Sequence, residues 1–345
     1  MDQQFLFTML DEMSVSGHEI PLQKKVIAHM QPYCDRVLTD MTGNVICALN
    51  PEAEFKVMLA GHVDEIGLVV TQIQDDGLVR VAESGGIEPS TYPGHQVVIH
   101  GYAKKVYGVV IHSEEVDKAE LKASELHIDI GAKDRAEAKK WIREGDPVHL
   151  NTYHQLMENG RLSARAVDDR GGVFIVMEAL KRARELGCRI GVYSASTVGE
   201  ETNSRGAYWA GSRIRPDVAI VVDVTYAQDY PGAKPQETGF VELGKGPVIC
   251  NGALSHRKVN DLLMACAEKA GIPYQMEAAA GMTYTDADIL HFTGQGVVTA
   301  LVSLPLRYMH TPGEMCALSD VENTIELLAQ FLCAINADTD LDPFH

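Results

Sequence analysis

Ser196-Thr197-Val198-Gly199-Glu200-Glu201-Thr202 follows an apolar run, Ile190 to Ala195, that reads as a buried strand. Two adjacent carboxylates stand where that strand should open into a turn. Neighbouring carboxylates repel unless a cation or a shared proton compensates, and a bound metal does so most directly. Neighbours in sequence can take different jobs, one as a ligand and one turned toward a bound water as general base. Alone, Glu-Glu carries little weight, because most such pairs lie on solvated helix faces.

The rest of the chain changes that. Phe55-Lys56-Val57-Met58-Leu59-Ala60-Gly61-His62-Val63-Asp64 is a short apolar run that ends in His-x-Asp. A histidine at a strand end can bind a metal through one ring nitrogen while a nearby carboxylate, here Asp64, takes the other N–H. Val218-Ala219-Ile220-Val221-Val222-Asp223 again ends a β-branched run in an acid, and Val297 to Leu304 leads into Pro305-Leu306-Arg307-Tyr308-Met309-His310-Thr311-Pro312-Gly313-Glu314. Asp168 and Asp169 stand at the start of a helix with apolar Val173, Val176, Met177 and Leu180 and a basic end before Gly187. The bland reading of that pair is one helix cap and one partner for Arg170.

His62, Glu200-Glu201, Asp223 and His310 each follow a buried strand, and open α/β sheets bind ligands outside the carboxyl ends of their strands. Asp168 at a helix start reaches the same rim. Two histidines and three carboxylates form a mixed N/O set suited to Zn²⁺, Co²⁺ or Mn²⁺ rather than to Ca²⁺ or an iron–sulfur cluster. One carboxylate can bridge two ions, and two ions about 3.5–4 Å apart can hold a hydroxide nucleophile and polarise a carbonyl. The second glutamate then takes the proton from that water and passes it to the leaving amine.

The 345 residues, 46% apolar, suffice for a large core and two domains. With 48 acidic against 30 basic residues the net charge is −18, which argues against nucleic acid and anionic membrane as partners. No signal peptide is visible at the start and no apolar run approaches membrane-spanning length. The seven cysteines are dispersed without a CxxC pair and read as reduced thiols, so a cytoplasmic location is expected.

Helices are expected over 2–12 and 21–32, strands over 36–40 and 44–49, and a closing helix over Val321–Ile335. From about Leu68 to Arg161 the texture shifts to short alternating stretches broken by Gly, Pro and Asp-rich turns, with one helical piece over Arg135–Arg143. This is expected to be a small β-barrel inserted into an α/β host. The Gly85-Gly86 and Tyr92-Pro93-Gly94 turns carry no evident chemistry, and His18 reads as a loop residue.

The order His-x-Asp, Asp-Asp-Arg, Glu-Glu, strand-terminal Asp and His-Thr-Pro resembles the tetrahedral (TET) aminopeptidases, the glutamyl- and leucyl-aminopeptidase-like di-metal exopeptidases, some of which bear the name endoglucanase. The resemblance covers essentially the whole chain. It implies a mixed α/β sheet flanked by helices as the catalytic domain (1–67 plus 162–345), with a PDZ-like barrel (68–161) used in assembly from dimers to dodecamers. It implies that His62, bridging Asp168 and Asp223 hold one ion, and that Asp168, Glu201 and His310 hold the other. Glu200 would be the general base and Asp64 the carboxylate orienting His62. Departures are Gly199, where the family usually carries Gln, Thr202-Asn203-Ser204 in place of Val-Gly-Leu, and Tyr284-Thr285-Asp286-Ala287-Asp288 in place of a Gly-Thr-Asp segment. Asp286 and Arg205 are the candidates for substrate contact.

The expected function is removal of N-terminal residues from short peptides. A glycosidase reading leaves the strand-terminal histidines unexplained, since that chemistry needs two carboxyl groups flanking a sugar and usually no metal. A silent metal-binding assembly protein would have no use for the spare base Glu200.

Overall fold

The computed structural model describes residues 1–113, 117–233 and 239–344. The chain opens with helices α1 (Gln3–Asp11) and α2 (Ile20–Met30). Asp2 caps the first by accepting the Phe5 N–H at 3.1 Å, and proline stands in the first turn of the second. Strands β1 (Arg36–Thr39) and β2 (Val45–Leu49) form a hairpin whose turn is held by Asp40, which accepts backbone N–H groups of Thr42, Gly43 and Asn44. Strand β3 (Lys56–His62) follows.

The next strands are β4 (Gly67–Ile73), β5 (Val79–Ser84), β6 (Gln96–His100), β7 (Lys105–His112) and β8 (Leu126–Asp129), then helix α3 (Arg135–Ala138) and β9 (Pro147–Leu150). These strands close an antiparallel barrel in the order β4-β5-β8-β7-β6-β9. Its core is separate from the host's and holds Leu68, Val81, Ile99, Val110, Ile128 and Val148. The helix expected over Arg135–Arg143 stops at Ala138, because Lys140 and Trp141 donate to carbonyls three residues back rather than four.

Strands β10 (Gln155–Met157) and β11 (Arg161–Ala164) lead to the long helix α4 (Val167–Glu185). Then come β12 (Gly191–Thr197), α5 (Glu200–Asn203), α6 (Arg205–Ile214), β13 (Val218–Tyr226), β14 (Val248–Gly252) and α7 (Arg257–Ala270). The chain ends with β15 (Gln275–Ala279), α8 (Ala287–Leu290), β16 (Val298–Leu306), β17 (Glu314–Ala317) and α9 (Leu318–Ala334).

The large sheet has the order β1-β2-β12-β3-β13-β16-β14-β15, with β12, β3, β13 and β16 parallel at its centre. Central parallel strands are covered on both faces, and the near-continuous Val, Ile and Ala runs of β3 and β13 reflect that. Helix α4 lies beneath the sheet with α9, α1, α2 and α7, and α6 and α8 cover the other face. Residues 167–180 of α4 are buried, as expected of a helix packed on all sides. Each of Phe174, Val176, Met177 and Leu180 contributes roughly 1.5–3 kcal/mol by that burial.

A small sheet of β10, β11 and β17 joins the approach to α4 to the segment after β16, with Ala164 opposite Glu314. Strand β10 falls within 68–161 but pairs with β11, not with the barrel. Among the described residues no helix is long and apolar enough to cross a membrane.

Candidate metal centre

The carboxyl ends of the central parallel strands gather the site. Thr197 on β12 is the register partner of His62 on β3, so the Glu200-Glu201 turn begins just beyond the imidazole. Asp223 lies on β13, the other neighbour of β3. Asp168 comes from the non-helical first turn of α4, where Ala166 has φ 56° and Asp168 has ψ 106°, and its peptide bond to Asp169 is cis. His310 follows β16.

The Asp168 carboxylate lies between two imidazoles. Its Oδ1 is 3.1 Å from His62 Nε2 and its Oδ2 is 3.2 Å from His310 Nε2. Glu200 Oε2 stands 3.8 Å from His62 Nε2, and Glu201 Oε1 stands 3.8 Å from His310 Nε2. Ligand atoms of His62, Asp168 and Glu201 lie within 4.8 Å of one another, and so do those of His62, Asp169 and Asp223.

Both imidazoles are anchored from behind. His62 Nδ1 is 3.1 Å from the Asp64 carbonyl oxygen, and His310 Nδ1 is 2.7 Å from the Gly86 carbonyl oxygen. A carbonyl only accepts, so each Nδ1 carries a proton, and each Nε2 faces the Asp168 carboxylate, to which it donates while no cation stands between them; a bound ion would take the place of that Nε2 proton. The ring then left is the tautomer a metal ligand needs. Residues of these types, so oriented, fit a divalent cation.

Electrostatics point the same way. Burial pushes Glu200 up to about 9, with Asp223, Asp286 and Asp168 adding to the effect and His62 opposing it. Burial also raises Asp223 to about 8, assisted by Asp168. Asp168 itself is held well below the usual carboxylate range: burial works against ionisation, but hydrogen bonds from His310 and His62 outweigh it. His62 is raised despite its burial, because Asp168 and Asp64 accept from it and Glu200 faces it. This many buried carboxylates do not all ionise at neutral pH without a cation among them.

Asp64 sits under the Glu-Glu turn, its Oδ1 accepting the Glu200 N–H at 3.1 Å and its Oδ2 the Glu201 N–H at 3.3 Å. Asp169 is the cap of the bland reading: it accepts the Gly172 N–H at 2.9 Å and the His62 N–H at 3.1 Å. Arg170, in contrast, pairs with neither aspartate. Fully buried in α4, it reaches Glu65 at 2.5 Å, which the sequence order hid because the two lie 105 positions apart.

Asp286 is brought near the site but not into its cleft; buried, it accepts the Thr197 hydroxyl at 2.6 Å. Arg205 does not reach the cleft either. Its guanidinium pairs with Glu19 at 3.1 Å and lies over Gly199, where a Cβ would stand 2.0 Å from Nη1. With φ +73° as well, position 199 favours glycine in this chain.

Two contributors escaped the sequence. Gly86, on a turn without evident chemistry of its own, supplies the carbonyl that anchors His310, and a Cβ there would stand 3.2 Å from the ring. Glu314 accepts the backbone N–H of His310 at 2.9 Å and of Asp168 at 3.2 Å, tying the two segments together. The available signals were a Gly-Gly pair where no side chain fits and an acid four residues past the histidine.

The cleft opening from this site has a volume of about 490 Å³ and runs from His62, Asp168 and Glu200 to Glu277 and Tyr284. The model of the M42 glutamyl aminopeptidase family matches residues 43–327. An aminopeptidase of Acetivibrio thermocellus, itself described as putative, is 33% identical over 96% of this chain and 100% of its own. The lysyl aminopeptidase of Pyrococcus furiosus is 33% identical over 96% and 97%. Among solved structures, the TET aminopeptidase of Thaumarchaeota archaeon SCGC AB-539-E09 superposes with a TM-score of 0.92 at 28% identity, covering 97% of each chain. The Pyrococcus horikoshii TET1 peptidase, which can assemble into a tetrahedron or a large octahedral shell, gives 0.86 at 28% over 96% and 99%.

The fold and the site therefore define a metal-dependent aminopeptidase, a hydrolase. The chain belongs to the M42 glutamyl aminopeptidase family.

Proposed function

We propose that this aminopeptidase works with two divalent ions, Zn²⁺ or Co²⁺ and also Mn²⁺, on the N-termini of short peptides. His62, Asp168 and Asp223 would hold one ion and Asp168, Glu201 and His310 the other. The observation that carries this reading is the Asp168 carboxylate set between two Nε2 atoms at 3.1 and 3.2 Å, as a bridging ligand requires. When bound, the ions supply Lewis-acid polarisation of the scissile carbonyl and acidify water.

The residues of the chain do the rest. Glu200 is the member of the pair nearer His62, and its raised proton affinity suits a group that accepts a proton from water and returns it to the leaving amine. Asp64 holds the turn through the N–H groups of both glutamates and steadies His62. Asp169 has both oxygens engaged by backbone N–H groups, so we assign it to positioning rather than to ligation.

Residues 1–67 plus 162–345 would form the catalytic domain and 68–161 an assembly domain. An exposed row on β7, Tyr107, Val109 and Ile111, supports a homo-oligomer, since such apolar surface is usually covered. A cytoplasmic location fits the seven unpaired cysteines.

The test is hydrolysis of aminoacyl-p-nitroanilides and their N-acetylated counterparts by chelator-stripped protein, with and without each added metal. The free-amine substrates alone should be cut, and only with metal. In Glu200→Gln, metal binding should persist while kcat falls at least about a hundredfold. Retained turnover in a metal-loaded Glu200→Gln protein would overturn the assignment of the base.

A further inference from the structure

The names of family and relatives differ in the residue removed, glutamyl in one and lysyl in another, so the preference has to be argued from the cleft itself. The cleft is also lined by a carboxylate that the site chemistry does not use. Glu277, on β15, lines it and accepts hydrogen bonds from Thr225 Oγ1 at 2.6 Å and Ser303 Oγ at 3.3 Å. Thr225 stands two residues past Asp223 on β13, and Ser303 is the register partner of Asp223 on β16. Both hydroxyls therefore face the same side of the sheet as Asp223. Two residues along a strand span about 6.6 Å.

Among the described residues no salt-bridge partner answers this carboxylate. Among the described residues lining the cleft there is no lysine or arginine. Ala279, Met282, Tyr284 and Leu301 line the same cleft, a surface for methylene groups rather than for charge. Burial raises the proton affinity of Glu277, with the Thr225 and Ser303 hydroxyls opposing, as expected of a carboxylate in want of a counter-ion.

We propose that this cleft receives a cationic side chain, lysine or arginine, on the first residue of the peptide, and that Glu277 selects it. The inference rests on the reading of the Asp168 site as the catalytic centre. A peptide whose α-amine and scissile bond lie at that site would extend its first side chain past Asp223 and Thr225. The four-carbon stem of lysine suits the apolar walls, and its ammonium would meet the Glu277 carboxylate, which the metal site leaves unused. A glutamyl side chain would set two carboxylates against each other there. A norleucyl side chain would leave the Glu277 carboxylate without a counter-ion.

The test uses the metal-loaded full chain with lysyl-, arginyl-, norleucyl- and glutamyl-p-nitroanilides. Norleucine differs from lysine in lacking the ammonium group, so the lysyl-to-norleucyl ratio of kcat/KM isolates the charge. We expect a ratio of at least about ten in the wild type and glutamyl as the poorest substrate, and we expect Glu277→Gln to lower the ratio at least about tenfold, mainly through KM. Glutamine keeps the shape and can still accept from Thr225. A wild type that cuts norleucyl as well as lysyl substrates overturns the inference, whatever happens to the variant. So does an unchanged ratio in a Glu277→Gln protein that binds metal and melts like the wild type.

Calorimetric titration with free lysine and free norleucine separates the two readings. If no substrate is cut but lysine binds at least about tenfold tighter, and loses that margin in Glu277→Gln, the peptidase reading falls and the pocket stands. Equal binding of the two amino acids overturns the pocket.

Discussion

Glu314 is not among the proposed ligands, yet it fixes the spacing between two of them, Asp168 and His310. By accepting the N–H of both Asp168 and His310, it sets how far apart the carboxylate and the imidazole stand. Glu314→Ala is expected to weaken binding of one of two titrated Zn²⁺ equivalents about 10–100-fold, as loss of a supporting hydrogen bond to a ligand typically does. Competition with a chromophoric chelator measures this, and an unaltered titration would remove Glu314 from the site. The same contrast explains what the sequence disclosed at this scale. His62, Glu200, Glu201, Asp223 and His310 stand out in the sequence because each ends or follows an apolar run, where a polar side chain needs a reason. Gly86 and Glu314 do not, because they act through backbone groups, and no residue type records where a carbonyl points. Arg205 is a candidate for substrate contact in the sequence, and its pairing with Glu19 depends on a fold that places residue 19 beside residue 205.

Among elements, the decisive junction is where α1, the β3–β4 connection and α4 meet at Glu65. This buried carboxylate pairs with Arg165 and Arg170, and Arg170 also donates to the carbonyls of Met9 and Leu10 and to Ser14 Oγ. Burial alone would raise the carboxyl, but the two guanidinium groups hold it at about 2, below the ordinary value of 4.5. A carboxyl depressed on folding contributes stability that is fully present above pH 4.5 and lost as pH falls from there toward 2. Acid titration of the melting temperature should show that loss, and Glu65→Gln should flatten it. At neutral pH the variant should be less stable by about 3–5 kcal/mol in denaturant unfolding, because two buried cations lose their anion. Strand and helix positions were mostly readable, since β3, β12, β13 and β16 are dense in β-branched residues and bounded by turns. Strands β14 and β15 are not legible in the sequence, because both are short and β15 is half-exposed along its length. Its carboxylate at 277 went unnoticed for the same reason.

In the whole molecule, the acidic cluster is expected to make the metal-free protein the less stable form. A ligand that binds only the folded chain adds about 2.7 kcal/mol at a hundredfold excess over its Kd. Stripping metal should therefore lower the melting temperature, and Zn²⁺, Co²⁺ or Mn²⁺ should restore it, in Glu200→Gln as in the wild type. A melting temperature indifferent to chelator would count against metal among these carboxylates. The division into a host and a barrel was visible in the change of texture near Leu68, but the sequence made the two look independent. They are not. The carbonyl that anchors His310 belongs to Gly86, just past β5 and within the barrel-bearing stretch. Anyone building chimaeras by exchanging residues 68–161 as a cassette would thus transplant one anchor of a site housed elsewhere. A graft from a relative will be judged less by its resemblance to the original barrel than by whether it returns a single oxygen atom to its place.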